Sequence, residues 1–570
     1  MKINVLFLSI TLLLFALLHS LFAAAGPDLQ GNITSLVDGF AGRNIQPNEP
    51  GFVIAVVSNG KMLAEKAYGY ADVEKKIPNS PETLFEVGSV TKQFTAALVA
   101  TLMAEGKISV NDDIRKYFPD FPDYGNTITV GNLLHHTSGI RDVLNLMVLA
   151  GWPIDRDYTD DKIMGLLERQ KGLNFPAGDA YGYSNSNYFL LGKIVQKITG
   201  KTLNACAREI LFDPAGMNST FWRGQPDQKI KNRARGYLKK EDGTFHGDFD
   251  LIPANKGETG INTTAGDLMK WDQNFYSPRF AHPEIIDMMQ ERGVLNNGDT
   301  IRYALGLEIG SYKGYKTVAH DGGTGTFFAA IRRFPERKFT IIFLANRSDL
   351  KVGGLFDRIA DMMLGLPAET NWAVPAGSQA NAENDKTLYD QYAGDYSMPN
   401  GFTISITREG DKLEAQGTGQ PRFEITPESD STFFLEIANA HLTFRKDNEG
   451  KVDTLILNQG GQTIPFSRRI QELLTQAEKE QMAGEYYCDE LDVVYKIALK
   501  NDELFLEAPE LPAIISERSS GLLKRIKGYQ FSESMHTLEF LPDESGNISA
   551  FTLSIPRAAG LHFEKLLKGE

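Results

Sequence analysis

The chain is poor in cysteine, in basic surplus and in long apolar runs, and each shortage excludes something. Only two cysteines occur in 570 residues, Cys206 and Cys488, far apart in the chain. So few exclude a disulfide scaffold, and each reads as a buried thiol in a different domain. Lysine and arginine total 59 against 73 acidic residues, a formal net charge of −14. With no basic excess to neutralise phosphates, a nucleic-acid partner is excluded. Beyond residue 22 no stretch is long and apolar enough to cross a bilayer. The paired His135-His136 lacks a second ligand cluster at metal spacing, so it reads as a structural loop and no metal site is assigned.

What is present is ordinary globular composition, 42% hydrophobic and 23% charged, in a length that suits about two to four domains. Lys2, an apolar run over residues 5–22 and Ala23-Ala24-Ala25 together predict a cleaved signal peptide over residues 1–25. The expectation is a secreted or periplasmic protein with no stable membrane span after cleavage. No cysteine stands near the cleavage site, which argues against a lipid anchor.

After a helix over residues 32–40, strands over 52–57 and 61–68 flank Ser58-Asn59-Gly60, a hairpin signal. A helical middle follows, with segments over 130–135, 161–170, 185–199 and 264–274. Strand texture returns at 303–309, 316–320, 326–334 and 339–346, closed by a helix over 355–364. Strands at both ends with helices between predict an α+β domain over residues 27–375, one antiparallel sheet flanked by helices with a helical insertion. Residues 376–385 read as a polar linker. Beyond it Tyr392-Ala393-Gly394-Asp395-Tyr396 returns as Met482-Ala483-Gly484-Glu485-Tyr486, each followed by a strand pattern and a polar turn. Two small all-β antiparallel barrels are expected, over 386–468 and 469–570, with a helix over 469–480 joining them. Barrel closure would remove exposed edges. Neither copy clusters serine, histidine and acid, so their expected work is to bind, to cover, or to build a homo-oligomer.

Ser89 and Lys92 stand three apart where a loop turns into a helix, so their heads share one face. A serine hydroxyl is a weak nucleophile until a neighbouring group takes its proton, and a helix start favours an oxyanion. A chain of this length holds about two Ser-x-x-Lys pairs by chance. Ser58-Lys61 falls in the hairpin turn and Ser348-Lys351 at a strand exit; the copy at Ser89 alone opens a helix. Tyr183 offers a phenol that, as phenolate, could act as base or relay. Asn185 offers an amide to orient a carbonyl or Lys92. Tyr124-Gly125-Asn126 imitates this pair but precedes no apolar helix. His320, between two strands, can bond a substrate or assist proton transfer, and Gly322 and Gly323 allow close approach of a substrate backbone.

Ser89-x-x-Lys92, Tyr183-x-Asn185 and His320-x-Gly322 in that order resemble the serine β-lactamase and penicillin-binding-protein superfamily, over about residues 30–370. The stretch 133–139, Leu-Leu-His-His-Thr-Ser-Gly, and Asn346 at a strand end are similar to its class C-type and esterase branch. His320-Asp321-Gly322 replaces the usual Lys-Thr-Gly, so the lysine suited to a β-lactam carboxylate is missing. With two carboxy-terminal barrels the layout looks most like bacterial D-aminopeptidases, which implies that a barrel can shape the site's rim.

The resemblance implies a serine hydrolase working through an acyl-enzyme on a small peptide, amide or ester, with no metal or organic cofactor. Ser89 would attack, Lys92 and Tyr183 would share the proton, and the N–H groups of Ser89 and, by resemblance, Gly323 would hold the oxyanion. Asn185, His320, Gly322 and Gly323 would line the substrate site. Two other readings stay open: carboxylesterase or β-lactamase-like and DD-peptidase-like chemistry, and a non-catalytic peptide- or cell-wall-binding protein.

Overall fold

Asn59 and Gly60 both adopt positive φ, 49° and 76°, so the strands Phe52–Ser58 and Lys61–Tyr68 close as a tight hairpin. A computed structural model of the chain describes residues 28–153, 158–223, 229–240, 242–247, 256–367, 385–398, 402–417, 422–438, 440–459, 462–469, 474–509, 522–527, 529–533 and 536–566. The expected signal peptide, the linker up to residue 384, and residues 470–473 of the expected joining helix lie outside them.

The hairpin does not stand alone. Phe52 pairs with Ala345 and Ser58 with Phe339, joining the first strand to the last one of the domain, Phe339–Ala345. The resulting six-stranded antiparallel sheet runs Glu308–Tyr312, Tyr315–Gly323, Phe328–Phe334, Phe339–Ala345, Phe52–Ser58, Lys61–Tyr68. Residues 52–57 are all buried because the pleat feeds two cores. Phe52, Ile54 and Val56 meet helices Leu29–Asn44 and Gly353–Leu364. Val53, Ala55 and Val57 face the inserted helices. Those include Thr91–Ala104, Val130–Leu134, Asp160–Glu168, Asn185–Thr199 and Ala265–Gln273. The α+β architecture is the one the strand and helix spacing predicts.

One strand is shorter than its sequence suggests. Residues 303–307 do not extend; the strand begins at Glu308. Tyr303, Ala304, Leu305 and Leu307 are all buried, a run without alternation, and Gly306 at φ 68° turns the chain against the Lys92 backbone. A Cβ at residue 306 would sit 2.6 Å from the Lys92 carbonyl oxygen, so only glycine fits that approach. In the opposite sense, Tyr315–Gly323 runs three residues past His320, which carries both glycines onto the sheet edge.

The repeat has a local cause. The Tyr396 hydroxyl donates to the Tyr392 carbonyl and the Tyr486 hydroxyl to the Met482 carbonyl, each at 2.8 Å. Gly394 and Gly484 stand between at φ 148° and 153°, which a side chain would resist. Eight strands from Gly394–Ser397 to Gln462–Arg468 close a barrel. In the second copy the eight strands form one curled sheet, and among the described residues its end strands meet only through the bridge Phe505–Leu522. The joining helix is Gln476–Met482, shorter than expected and fixed by a Thr475–Glu478 capping box.

The two copies differ in attachment. The first has its own apolar core, whereas the second shares a continuous core with the inserted helices. Arg141 and Glu490, both almost fully buried, join across this junction at 2.5 Å, and the Tyr495 hydroxyl donates to the Leu149 carbonyl at 2.8 Å. Cys206 and Cys488 are buried free thiols. Among the described residues no helix is long and apolar enough to cross a membrane.

Candidate active site

From Thr83 to Leu102 every residue is buried except Ser89. Gly88, at φ 49°, turns the chain into a short 3-10 turn, Gly88–Val90, that runs straight into the helix Thr91–Ala104. The turn is pressed against the edge of strand Tyr315–Gly323. A Cβ on Gly322 would lie 2.1 Å from the Val87 carbonyl oxygen and 2.7 Å from the Ser89 nitrogen. One on Gly88 would lie 2.8 Å from the Gly323 nitrogen. Two glycines thus let two backbones pass at contact, bringing the amides of Ser89 and Gly323 to one place.

Lys92 lies one turn on and is fully buried. Its Nζ is 3.0 Å from Ser89 Oγ, 2.8 Å from Asn185 Oδ1 and 3.0 Å from the Glu258 carbonyl oxygen. Burial drives its ammonium below the ordinary lysine range, helped by Arg557 and opposed by the carboxylates of Glu258 and Asp142. In the neutral amine both N–H groups are used by Asn185 and Glu258, two acceptors that cannot move far. The lone pair then faces the Ser89 hydroxyl. Glu258 is buried too, and burial pushes its carboxyl up, against the pull of Lys92 and Lys256.

Asn185 is held rather than free. Its backbone N–H and its Nδ2 both donate to Asp142 Oδ2, at 2.7 and 2.9 Å. That leaves Oδ1 no choice but to accept from Lys92. Asp142 Oδ1 meanwhile caps the helix Val143–Leu149 through Leu144 N and Asn145 N.

Tyr183 lies with its hydroxyl against Ser89 and its ring 4.9 Å from Lys92 Nζ. Burial raises its phenol far above the ordinary range, with Ser89 and Arg557 pulling the other way. The free enzyme therefore holds a neutral phenol, not the phenolate that the sequence reading allows, and its chemistry is that of a donor or relay. His320 is held on both sides of its ring. Its Nδ1 donates to the Asp321 carbonyl at 2.6 Å and its Nε2 accepts from the Tyr303 hydroxyl at 2.9 Å. Burial lowers its pKa to about 3, with Lys92 reinforcing, so it is neutral and both nitrogens are occupied. It anchors the strand edge that carries Gly322 and Gly323.

Ser89, Lys92, Tyr183, Asn185, Gly322 and Gly323 thus gather at one point, with His320 behind them. Ser58-Lys61 closes the hairpin, Ser348-Lys351 lies in the loop after strand Phe339–Ala345, and Tyr124 donates to the Gln170 carbonyl. Sequence reasoning did not find Asp142, Glu258, Tyr303 or Arg557. An aspartate ahead of the apolar run 143–149 signals at most a helix cap, and Glu258 carries no sequence signal. His136, read as part of a loop, is fully buried with its ring 4.3 Å from that of Tyr183. Its Nδ1 accepts from Asn187 Nδ2 at 3.0 Å and Ser184 N at 3.3 Å, bracing the Tyr183-Asn185 turn.

Comparison with known proteins follows the same lines. Penicillin-binding protein 4* of Bacillus subtilis is 28% identical over 72% of this chain and 93% of its own. A D-aminopeptidase of Brucella anthropi is 23% identical over 94% of this chain and 99% of its own. Among solved structures, the octameric penicillin-binding protein homologue from Pyrococcus abyssi superposes with a TM-score of 0.55 at 21% identity, covering 84% of this chain and 98% of that one. D-amino acid amidase from Ochrobactrum anthropi SV3, complexed with D-phenylalanine, gives 0.51 at 22% identity over 60% and 99%. Residues 378–476 match a family described as a domain of unknown function. Residues 31–362, more than half of the chain, match the family described as Beta-lactamase. The chain belongs to the beta-lactamase family and is a serine hydrolase.

Proposed function

We propose that the protein is a D-amino-acid peptidase that works through an acyl-enzyme on Ser89. The observation that carries this reading is the threefold bonding of Lys92, which aims a lone pair at Ser89 Oγ. Ser89 Oγ attacks the carbonyl carbon and Lys92 Nζ takes its proton. The oxyanion lies between the N–H groups of Ser89 and Gly323; losing one such donor typically costs about 3 kcal/mol of transition-state stabilisation. Tyr183, a neutral phenol beside Ser89, passes a proton to the leaving amine and is reprotonated from Lys92. Water then cleaves the ester, and the chemistry calls on no metal or organic cofactor. The curated D-aminopeptidase that matches nearly the whole chain supports the D-amino-acid substrate. The signal-like start of the sequence supports a secreted or periplasmic location.

The test compares D-alanyl amides, L-alanyl amides, chromogenic β-lactams and short-chain aryl esters, with Ser89→Ala as blank. Ser89-dependent turnover of D-alanyl amides over their L counterparts is expected. Turnover of esters alone, with no amide cleaved, would overturn the peptidase reading and leave an esterase.

A further inference from the structure

A cation that neither catalytic motif nor sheet supplies reaches the site. It comes from the second carboxy-terminal copy, at the turn between strands Ile548–Ile555 and Ala558–Lys565. There the Arg557 guanidinium lies 5.0 Å from the centre of the Tyr183 ring. Lys92, Tyr183, Tyr181 and His136 all feel its charge.

Backbone contacts, not the guanidinium, set the position of this turn. The Arg557 carbonyl accepts from Asp142 N at 2.9 Å and from Asn174 Nδ2 at 3.1 Å, while Asn174 Oδ1 accepts from Ala559 N at 2.9 Å. Arg141 adds donations to the Ala559 and Gly560 carbonyls at 2.9 and 3.2 Å. Asp142 is the same residue that holds Asn185, so the turn is bolted directly to the catalytic cluster. The side chain itself is exposed, and among the described residues it pairs with no carboxylate. A cation set against Tyr183 by its backbone, with its fork of donors open to solvent, suits a carboxylate or a phosphate, and of the two a peptide substrate carries the carboxylate.

We propose that Arg557 forms a subsite for a substrate carboxylate, so that the second carboxy-terminal copy selects substrates bearing an anionic group beside the scissile bond. The charge that His320-Asp321-Gly322 lacks as a third motif thereby enters from another domain. This rests on the acyl-enzyme reading of Ser89 and narrows its substrate to peptides whose leaving residue keeps a free carboxylate.

The test uses D-alanyl-D-alanine against D-alanyl-D-alaninamide, and the depsipeptide D-alanyl-D-lactate against its amide, on the full chain and on Arg557→Gln and Arg557→Lys. The wild type should favour each carboxylate over its amide, and Arg557→Gln should lower that kcat/KM ratio by about tenfold or more, with Arg557→Lys in between. Taking the ratio cancels any effect exerted through Lys92. In parallel, labelling of Ser89 by a fluorophosphonate is followed by intact mass with acetyl-D-alanine or its amide as competitor. The acid should protect the wild type better than the amide, and the difference should vanish in Arg557→Gln. Equal protection by acid and amide in the wild type, or a ratio unchanged in Arg557→Gln, would overturn the subsite. Loss of all D-alanyl turnover with the difference in protection intact would instead defeat the peptidase reading and keep the subsite.

Discussion

Replacing Asp142 by asparagine keeps the size of the side chain and changes what it can accept. In the native site Oδ2 takes two donations from Asn185 and Oδ1 takes the donations that cap the following helix. Asparagine has one oxygen, so whichever way its amide turns, an NH2 group faces a pair of N–H donors. The side chain is fully buried, so water cannot repair the loss. Bonds to a charged acceptor are worth about 1.5–3 kcal/mol each, and the two to Asn185 overlap in function. If about 3 kcal/mol of this reaches the transition state, kcat/KM falls on the order of 100-fold. Since the role is to position Asn185 and through it Lys92, a second readout separates this from simple loosening. The Asp142 carboxylate stabilises the Lys92 ammonium, so neutralising it lowers the lysine pKa further. The enzyme needs the neutral amine, so the acid limb of the pH–rate profile should lie well below the ordinary lysine range in the wild type and move to lower pH in Asp142→Asn. Steady-state kinetics from pH 5 to 10 on a small amide, with a thermal melt as control, decide it. Activity within about threefold of wild type, or an acid limb that rises, would refute the argument.

Gly322→Ala places a methyl group 2.1 Å from the Val87 carbonyl and 2.7 Å from Ser89 N, so either the nucleophile turn or the strand edge must shift. Overpacking of this kind costs about 1–3 kcal/mol of stability, and a misplaced oxyanion donor roughly 100-fold or more in kcat; a melt and a Ser89 acylation rate measure the two. Glu490→Gln leaves Arg141 buried without its anion, a loss of about 3–5 kcal/mol concentrated at the junction of the second copy. Limited proteolysis should then release that curled sheet earlier than the first barrel, whereas an unchanged digestion pattern would mean the pair does not hold the junction. His320 carries a folded pKa of about 3 against an ordinary 6.5. The unfolded chain takes up that proton first, so its contribution to stability is whole above about pH 6.5 and declines as pH falls toward 3. Melting temperatures of the wild type minus those of His320→Gln should therefore shrink between pH 6.5 and pH 4; a difference that does not vary with pH would contradict this.

What could be read along the chain shares one property: its cause is local. Asn59-Gly60 makes a hairpin because both residues tolerate positive φ, whatever surrounds them. The Tyr392–Tyr396 and Met482–Tyr486 repeats announce a tyrosine that bonds four residues back across a glycine. Ser89 and Lys92 meet because a helix brings residues three apart onto one face. Residues 303–307 misled for the converse reason. Their apolar run is compatible with a buried strand, and only packing against the Lys92 backbone requires Gly306 to turn.

The sequence by itself therefore determined an α+β domain with a helix-borne serine and lysine, followed by a duplicated β domain. It could not decide protonation, because that depends on burial and on charges brought from afar. Burial raises the Tyr183 phenol, lowers the His320 imidazole and weakens the Lys92 ammonium, because the folded chain removes water from all three. Nor could it decide which distant residues complete the site. Asp142 acts on Asn185, Glu258 on Lys92, and Arg557 reaches Tyr183 from the last domain. These meetings leave no periodic trace along the chain, since they arise from how separate elements pack rather than from spacing within one of them.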